Sequence, residues 1–247
     1  MQNYLLTISY DGTSFDGWQK QPGRNTIQGR LESVATEMNG GAHVDVNGAG
    51  RTDAGVHALA QTATMALDNA VDPTELISYF NKYLPETISV DDAKEVDTRF
   101  HARLNAKRKT YLYRIWLGEK APVFERKYVY SYGKKVNINV IRELAAKLTG
   151  THDFASFVTK VPKKKSCVRT ITDVNVREKG DLLEIRFTGD GFMYNQIRIM
   201  VGTILEISEI RKNEALEKMD DIMAAKDREK AGFTAPPQGL FLEKVEY

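Results

Sequence analysis

A single cysteine, Cys167, stands among 247 residues, so no disulfide can form within the chain and a reducing compartment suits it. No apolar run is long enough to cross a bilayer as a helix, and no membrane partner is expected. The opening residues, MQNYLLTISYDG, lack a basic segment followed by a long apolar one. No secretory leader is therefore expected, and the cytoplasm is the expected location. Histidine is scarce: His43, His57, His101 and His152 are scattered, without an i,i+4 pair, and no CxxC accompanies them. That pattern excludes the usual zinc spacings, and no metal is expected. The GK[ST] and GxGxxG orders are missing too, so no nucleotide cofactor is implied. Net charge is only +2, which by itself does not mark a nucleic-acid binder.

One local absence says more. From Thr98 to Gly118, TRFHARLNAKRKTYLYRIWLG, there is no acid, while Arg99, Arg103, Lys107, Arg108, Lys109 and Arg114 are all cationic. A second acid-free patch, KVPKKKSCVR, carries Lys160, Lys163, Lys164, Lys165 and Arg169. Clusters of this kind are the footprint expected around phosphates, although a proline-bearing lysine run also suits a solvated loop. Hydrophobic content of 42% and charged content of 28% match an ordinary globular protein, long enough for one large or two small domains.

Periodicity orders the chain. YLLTISY alternates, with Tyr4, Leu6, Ile8 and Tyr10 on one face of a strand. Thr26 caps a helix striped by Ile27, Leu31, Val34 and Met38 and stopped by Gly40 and Gly41. HVDV and LAQTATMAL read as strands, Asp72-Pro73 with Glu75 as a helix start, and ISVDDAKEV as a returning strand. The second half repeats this order: strand KTYLYRIWL, a helix capped by Asn139, and a hairpin of TITDVNV and LLEIRFT about Lys179-Gly180-Asp181. A helix in MYNQIRIMVGTILEISEI, another from Asn213, and a closing strand GLFLEKVEY follow. The expectation is an α+β fold of two tandem ferredoxin-like (β-α-β-β-α-β) domains, 1–105 and 106–247. Their mainly antiparallel sheets would form a central cleft beside a cationic linker.

Within GAGRTDAGVHA, residues 48–58, Asp53 lies on a turn between two strands, bracketed by Gly48, Gly50 and Gly55. Glycines allow positive φ and close approach of another molecule, and Arg51 with small alanines leaves room for a flat ligand. An Asx turn, Asp53 bonding its own backbone, is the competing reading of the spacing. Cys167 has Lys165 and Arg169 beside it, which would lower a thiol pKa, but no histidine partner stands near in sequence. Asp190, in GDG, is the only attractive second carboxylate, and a turn role suits it better.

GAGRTDAGVHA resembles the catalytic motif of the TruA family of tRNA pseudouridine synthases. RFHAR, KRKTYLYRI, DFASF, VRTI, FMYNQIRIMVGTILEI and KDREKAGFTAPPQGLFL follow in that family's order and spacing, after YDGTSFDGWQKQP. Gly50 replaces a common serine and Ile199 a common asparagine. The resemblance implies a cofactor-free isomerase that converts uridine to pseudouridine in the anticodon stem-loop, with tRNA as partner and a homodimer as assembly. It makes Asp53 the reacting carboxylate, by covalent attack or by taking a proton from the ribose. Arg198 would hold that carboxylate ionised, Tyr111 would stack on the flipped base or pack in the core, and Ile185 would wall the base pocket. Arg51 would enter the stem or contact phosphate. Arg99, Arg103, Lys107, Arg108, Lys109, Lys163, Lys164 and Lys165 would bind RNA. A non-catalytic RNA-binding protein and a two-carboxylate hydrolase are the alternatives.

Overall fold

The computed structural model describes residues 1–159 and 166–247, so Lys163, Lys164 and Lys165 lie outside the described residues. The fold is α+β with mostly antiparallel sheet pairing and five α-helices among the described residues. It divides into two compact units, Met1–Lys107 with Phe241–Tyr247, and Arg108–Leu240.

In the first unit, β1 (Gln2–Tyr10) pairs antiparallel with β3 (His57–Leu67) on one side and with β4 (Ile88–Val96) on the other. Tyr4, Leu6, Ile8 and Tyr10 are all buried as expected, but Asn3 and Leu5 on the opposite face are buried too, so burial alternates only from Leu6 onward. Against them pack α1 (Ile27–Met38), with Ile27 and Leu31 inward, and α2 (Pro73–Tyr83), with Leu76 and Phe80 inward. The caps are those the sequence announces: Gly29 N–H donates to Thr26 Oγ1 at 3.3 Å, and Thr74 N–H to Asp72 Oδ1 at 2.8 Å.

HVDV is not a strand. β2 is only Asn47–Gly48, paired with β3. Val44 and Val46 are buried, as their alternation suggests, but α1 side chains take the backbone groups a strand would need. Val44 N–H donates to Thr36 Oγ1, Val46 N–H to Glu32 Oε1, and Gln28 Nε2 to Val46 O. Alternation reports burial, whereas strand formation also needs a free partner edge.

In the second unit, β5 (Arg108–Trp116), β9 (Leu182–Gly189), β8 (Val168–Lys179) and β7 (Gly150–Asp153) pair antiparallel in that order, and β6 (Tyr130–Ser131) adds parallel to β5. Tyr111, Tyr113 and Ile115 stand opposite Phe187, Ile185 and Leu183, so all six share one buried face. Three helices follow the chain: α3 (Ile138–Lys147), α4 (Gln196–Ile207) and α5 (Lys212–Ala225). Asn137, not Asn139, caps α3, its Oδ1 accepting from Asn139 and Val140 N–H at 3.1 and 3.4 Å.

The final strand, β10 (Leu240–Glu246), was expected to close the second domain. From Phe241 onward it belongs to the first unit instead. Phe241 and Leu242 run parallel to His57 and Ala58, and Tyr247 Oη donates to Ala102 O at 3.0 Å. The boundary falls at Lys107/Arg108, two residues after Asn105.

Candidate active site

Residues 49–56 carry Arg51 and Asp53 from β2 into β3. Arg51 is exposed and Asp53 half-buried. Glycine-rich as the loop is, its backbone is tied at several points. Gln61, fully buried on β3, clamps Gly50 from both sides, its Oε1 accepting from Gly50 N–H at 3.2 Å and its Nε2 donating to Gly50 O at 2.9 Å. Thr52 O accepts from Trp18 N–H at 3.0 Å, and Thr52 Oγ1 meets Tyr10 Oη at 2.8 Å. Val56 N–H donates to Asp53 O at 3.1 Å, closing a main-chain turn through Gly55 at φ +76°. These bonds fix where the Asp53 side chain leaves the backbone.

Two glycines serve packing. A Cβ on Gly17 (φ +93°) would lie 2.8 Å from Thr52 O and 3.2 Å from Asp53 C, so Gly17 lets its segment press directly on the Asp53 backbone. Gly48 makes room for Trp18, whose ring atoms lie 2.5 Å from the position of a Cβ there, so this space is filled from inside. His57, without a role in the sequence, is buried under the loop and stacks on Phe241 at 4.7 Å. Its Nδ1 accepts from Gly12 N–H at 3.0 Å and lies 3.3 Å from Asp11 Oδ1.

The cationic stretch begins in the same unit. Arg99, Arg103 and Lys107 are exposed on the segment after β4, which is anchored by Ala102 in an apolar cluster with Leu5 and Ala49. Ala49 opens the Asp53 loop, so the basic segment and that loop share one small core.

In the second unit, Arg108 is exposed and Lys109 half-buried at the start of β5. Tyr111 is 8% exposed, with Phe192 packed edge-on at 5.3 Å. Ile185 has no exposed surface, which leaves it no wall to offer a base; it lies beside Tyr113 instead.

Arg198 is half-buried on the first turn of α4. Its Nε donates to Ala235 O at 2.7 Å and its Nη1 to Asn195 Oδ1 at 2.9 Å. Segment 232–235 reaches it by lying along α4: Gly232 N–H donates to Thr203 Oγ1 at 2.9 Å and Ala235 N–H to Arg198 O at 3.0 Å. Gly202 permits this, since a Cβ there would meet Phe233 O at 1.9 Å. Burial pushes the Tyr113 phenol well above its ordinary pKa, and the Arg198 charge pulls it partly back.

Cys167 is buried, and that burial, followed by the Asp153 charge, raises its pKa against the pull of Arg169. The net shift is upward, opposite to the expected lowering: Arg169 pulls the thiol down but is outweighed, and Lys165 lies outside the described residues. Asp190 is tied across the sheet to β8: its Oδ1 accepts from Thr170 N–H at 3.1 Å, and its own N–H donates to Thr170 O at 3.0 Å. No group of three His, Cys, Asp or Glu side chains is placed to hold a metal among the described residues, and no described helix is long and apolar enough to cross a membrane.

A family pattern described as tRNA pseudouridine synthase matches residues 6–105 and 144–247. The chain belongs to that family. It is 43% identical to "tRNA pseudouridine synthase A 2" of Bacillus anthracis over 100% of both chains. It is 41% identical to "tRNA pseudouridine synthase A" of Geobacillus kaustophilus, over 100% of this chain and 95% of that one. Among solved structures, a chain of "Crystal Structure of a Cbf5-Nop10-Gar1 Complex" superposes with a TM-score of 0.38 at 10% identity, over 82% of this chain and 44% of that one, too slight a likeness to argue from.

Proposed function

We propose that the protein isomerises uridine to pseudouridine in the anticodon stem-loop of tRNA, with Asp53 as the reacting carboxylate. One observation carries this reading: family membership spans both units, and the family's acidic motif falls on a half-buried aspartate whose backbone is held rigid. In the reaction the C1′–N1 bond breaks, the base turns, and a C1′–C5 bond forms. A proton leaves C5 and one joins N1, so atoms and electrons balance without cofactor or energy source. Asp53 attacks the sugar or takes a ribose proton.

Arg198 supplies a guanidinium for that carboxylate, which favours its charged form. Tyr111 stacks on the extruded base with the edge that burial leaves it, and Ile185 supports the sheet behind it. Arg51, exposed beside Asp53, fills the place the base vacates or contacts phosphate. Arg99, Arg103, Lys107, Arg108 and Lys109, with Lys163, Lys164 and Lys165, bind the tRNA backbone. The antiparallel β4-β1-β3 order of the first unit, with the short β2 antiparallel to β3, supports a ferredoxin-like reading of that domain, to which β10 adds a parallel pairing with β3. A homodimer in the cytoplasm completes the proposal. A purely RNA-binding role finds less support, because it gives the clamped Asp53 loop no purpose.

The test uses unmodified tRNA without added metal or nucleotide. Asp53→Asn and Asp53→Ala are expected to abolish pseudouridine formation, read by mapping the product, while tRNA affinity survives. Turnover by either variant at the wild-type rate refutes the assignment.

A further inference from the structure

The β9–α4 connection holds an unusual residue. Asn195 sits at φ 60°, ψ 1°, and only Lys226 shares positive φ among the described non-glycine residues. Asparagine tolerates this left-handed conformation better than most side chains, but its side chain also acts in two directions here. Its Nδ2 donates to Thr159 Oγ1 at 2.8 Å, and its Oδ1 accepts from Arg198 Nη1 at 2.9 Å. The orientation of the amide is fixed by chemistry, because a guanidinium only donates and the atom facing it must be oxygen.

A guanidinium is planar, so two attachment points set its plane and the direction of its third nitrogen. For Arg198 those points are Ala235 O on Nε and Asn195 Oδ1 on Nη1. Ala235 is a main-chain partner carried by the segment along α4; Asn195 is a side-chain partner, itself anchored at the far end by Thr159. We infer that Asn195 is a positioning residue, which aims Nη2 of Arg198 in the isomerisation and acts on the reaction only through that arginine. The inference rests on the reading of Arg198 given above. Three properties are needed at this position: left-handed backbone, an acceptor for Arg198 and a donor for Thr159. Glycine keeps only the first, and aspartate keeps the first two.

Single-turnover rates, tRNA affinity and thermal unfolding of Asn195→Gly, Asn195→Asp and Thr159→Val separate aiming from mere loop support. Asn195→Gly is expected to lower the single-turnover rate by about tenfold or more with tRNA affinity held within about twofold, since small misplacements of a reacting group are costly. Asn195→Asp restores the Arg198 bond and is expected to restore most of the rate. Thr159→Val loses only the anchor and is expected to fall less than Asn195→Gly. A wild-type rate for Asn195→Gly overturns the inference, as does equal loss in Asn195→Gly and Thr159→Val, or failure of Asn195→Asp to restore. Arg198→Met distinguishes the two layers. If it is slow while Asn195→Gly is fast, the positioning role alone fails; if it turns over normally, the role given to Arg198 fails and the inference with it.

Discussion

Gly17→Ala probes the rigidity of the Asp53 loop from a residue outside the motif. An alanine there must hold φ near +93° and place its Cβ 2.8 Å from Thr52 O and 3.2 Å from Ala54 N and Asp53 C. Left-handed backbone costs a non-glycine residue about 1–2 kcal/mol. The overlap is with backbone, which cannot rotate away, and overpacking of this kind costs about 1–3 kcal/mol. The sum, about 2–5 kcal/mol, lowers the melting temperature of a chain this size by about 4–20 °C. Gly23→Ala is the control: its φ is also positive, at +69°, but nothing lies within 4 Å of the added Cβ. It should lose only the backbone part, about 1–2 kcal/mol, and keep its rate. Because Gly17→Ala relieves its overlap by shifting the Asp53 backbone, its single-turnover rate should also fall, by as much as about a hundredfold for a displacement near 1 Å. Thermal unfolding and single-turnover pseudouridine formation on the pair provide the assay. Equal melting temperatures for both variants, with a wild-type rate for Gly17→Ala, would refute the argument that this contact sets the loop.

Gln61→Leu keeps the bulk of the side chain but leaves Gly50 N–H and C=O, inside the protein, without their clamp. Each buried group left unsatisfied costs about 1–3 kcal/mol, so urea unfolding should show a loss of about 2–6 kcal/mol with reduced turnover; a loss under about 0.5 kcal/mol would count against the clamp. Asp72, exposed at the start of α2, has its pKa lowered below the ordinary 3.8, first by the hydrogen bond from Thr74 N–H. Its contribution is therefore fully present above the unfolded value and is lost as pH falls through the lower folded one. Asp72→Ala should lower the melting temperature at pH 7, and the difference from wild type should shrink as the pH drops below about 4; a pH-independent difference would contradict the cap.

Local signals carried much of this molecule. The caps at Thr26 and Asp72 and the bounds of ISVDDAKEV could be read directly because each depends on residues within a few positions. Elements that depend on distant partners could not. HVDV alternates as a strand does, yet Glu32, Thr36 and Gln28 on α1 take its backbone bonds. Cys167 has basic neighbours in sequence, but burial and Asp153 govern its thiol. Asn195 gave no signal beyond its place in YNQIR, since both its partners, Thr159 and Arg198, matter only once folded.

The sequence alone determined the α+β class, most helix and strand positions, and the motifs by which the chain belongs to the tRNA pseudouridine synthases, because these are written in short-range periodicity and residue order. Only the tertiary structure decided that β10 joins the first unit, that Gln61 and Gly17 hold the Asp53 loop, and that Asn195 and Ala235 orient Arg198. Those arrangements rest on hydrogen bonds and contacts between residues far apart in the chain, where each donor and each missing Cβ has meaning only through the atom that folding brings opposite it.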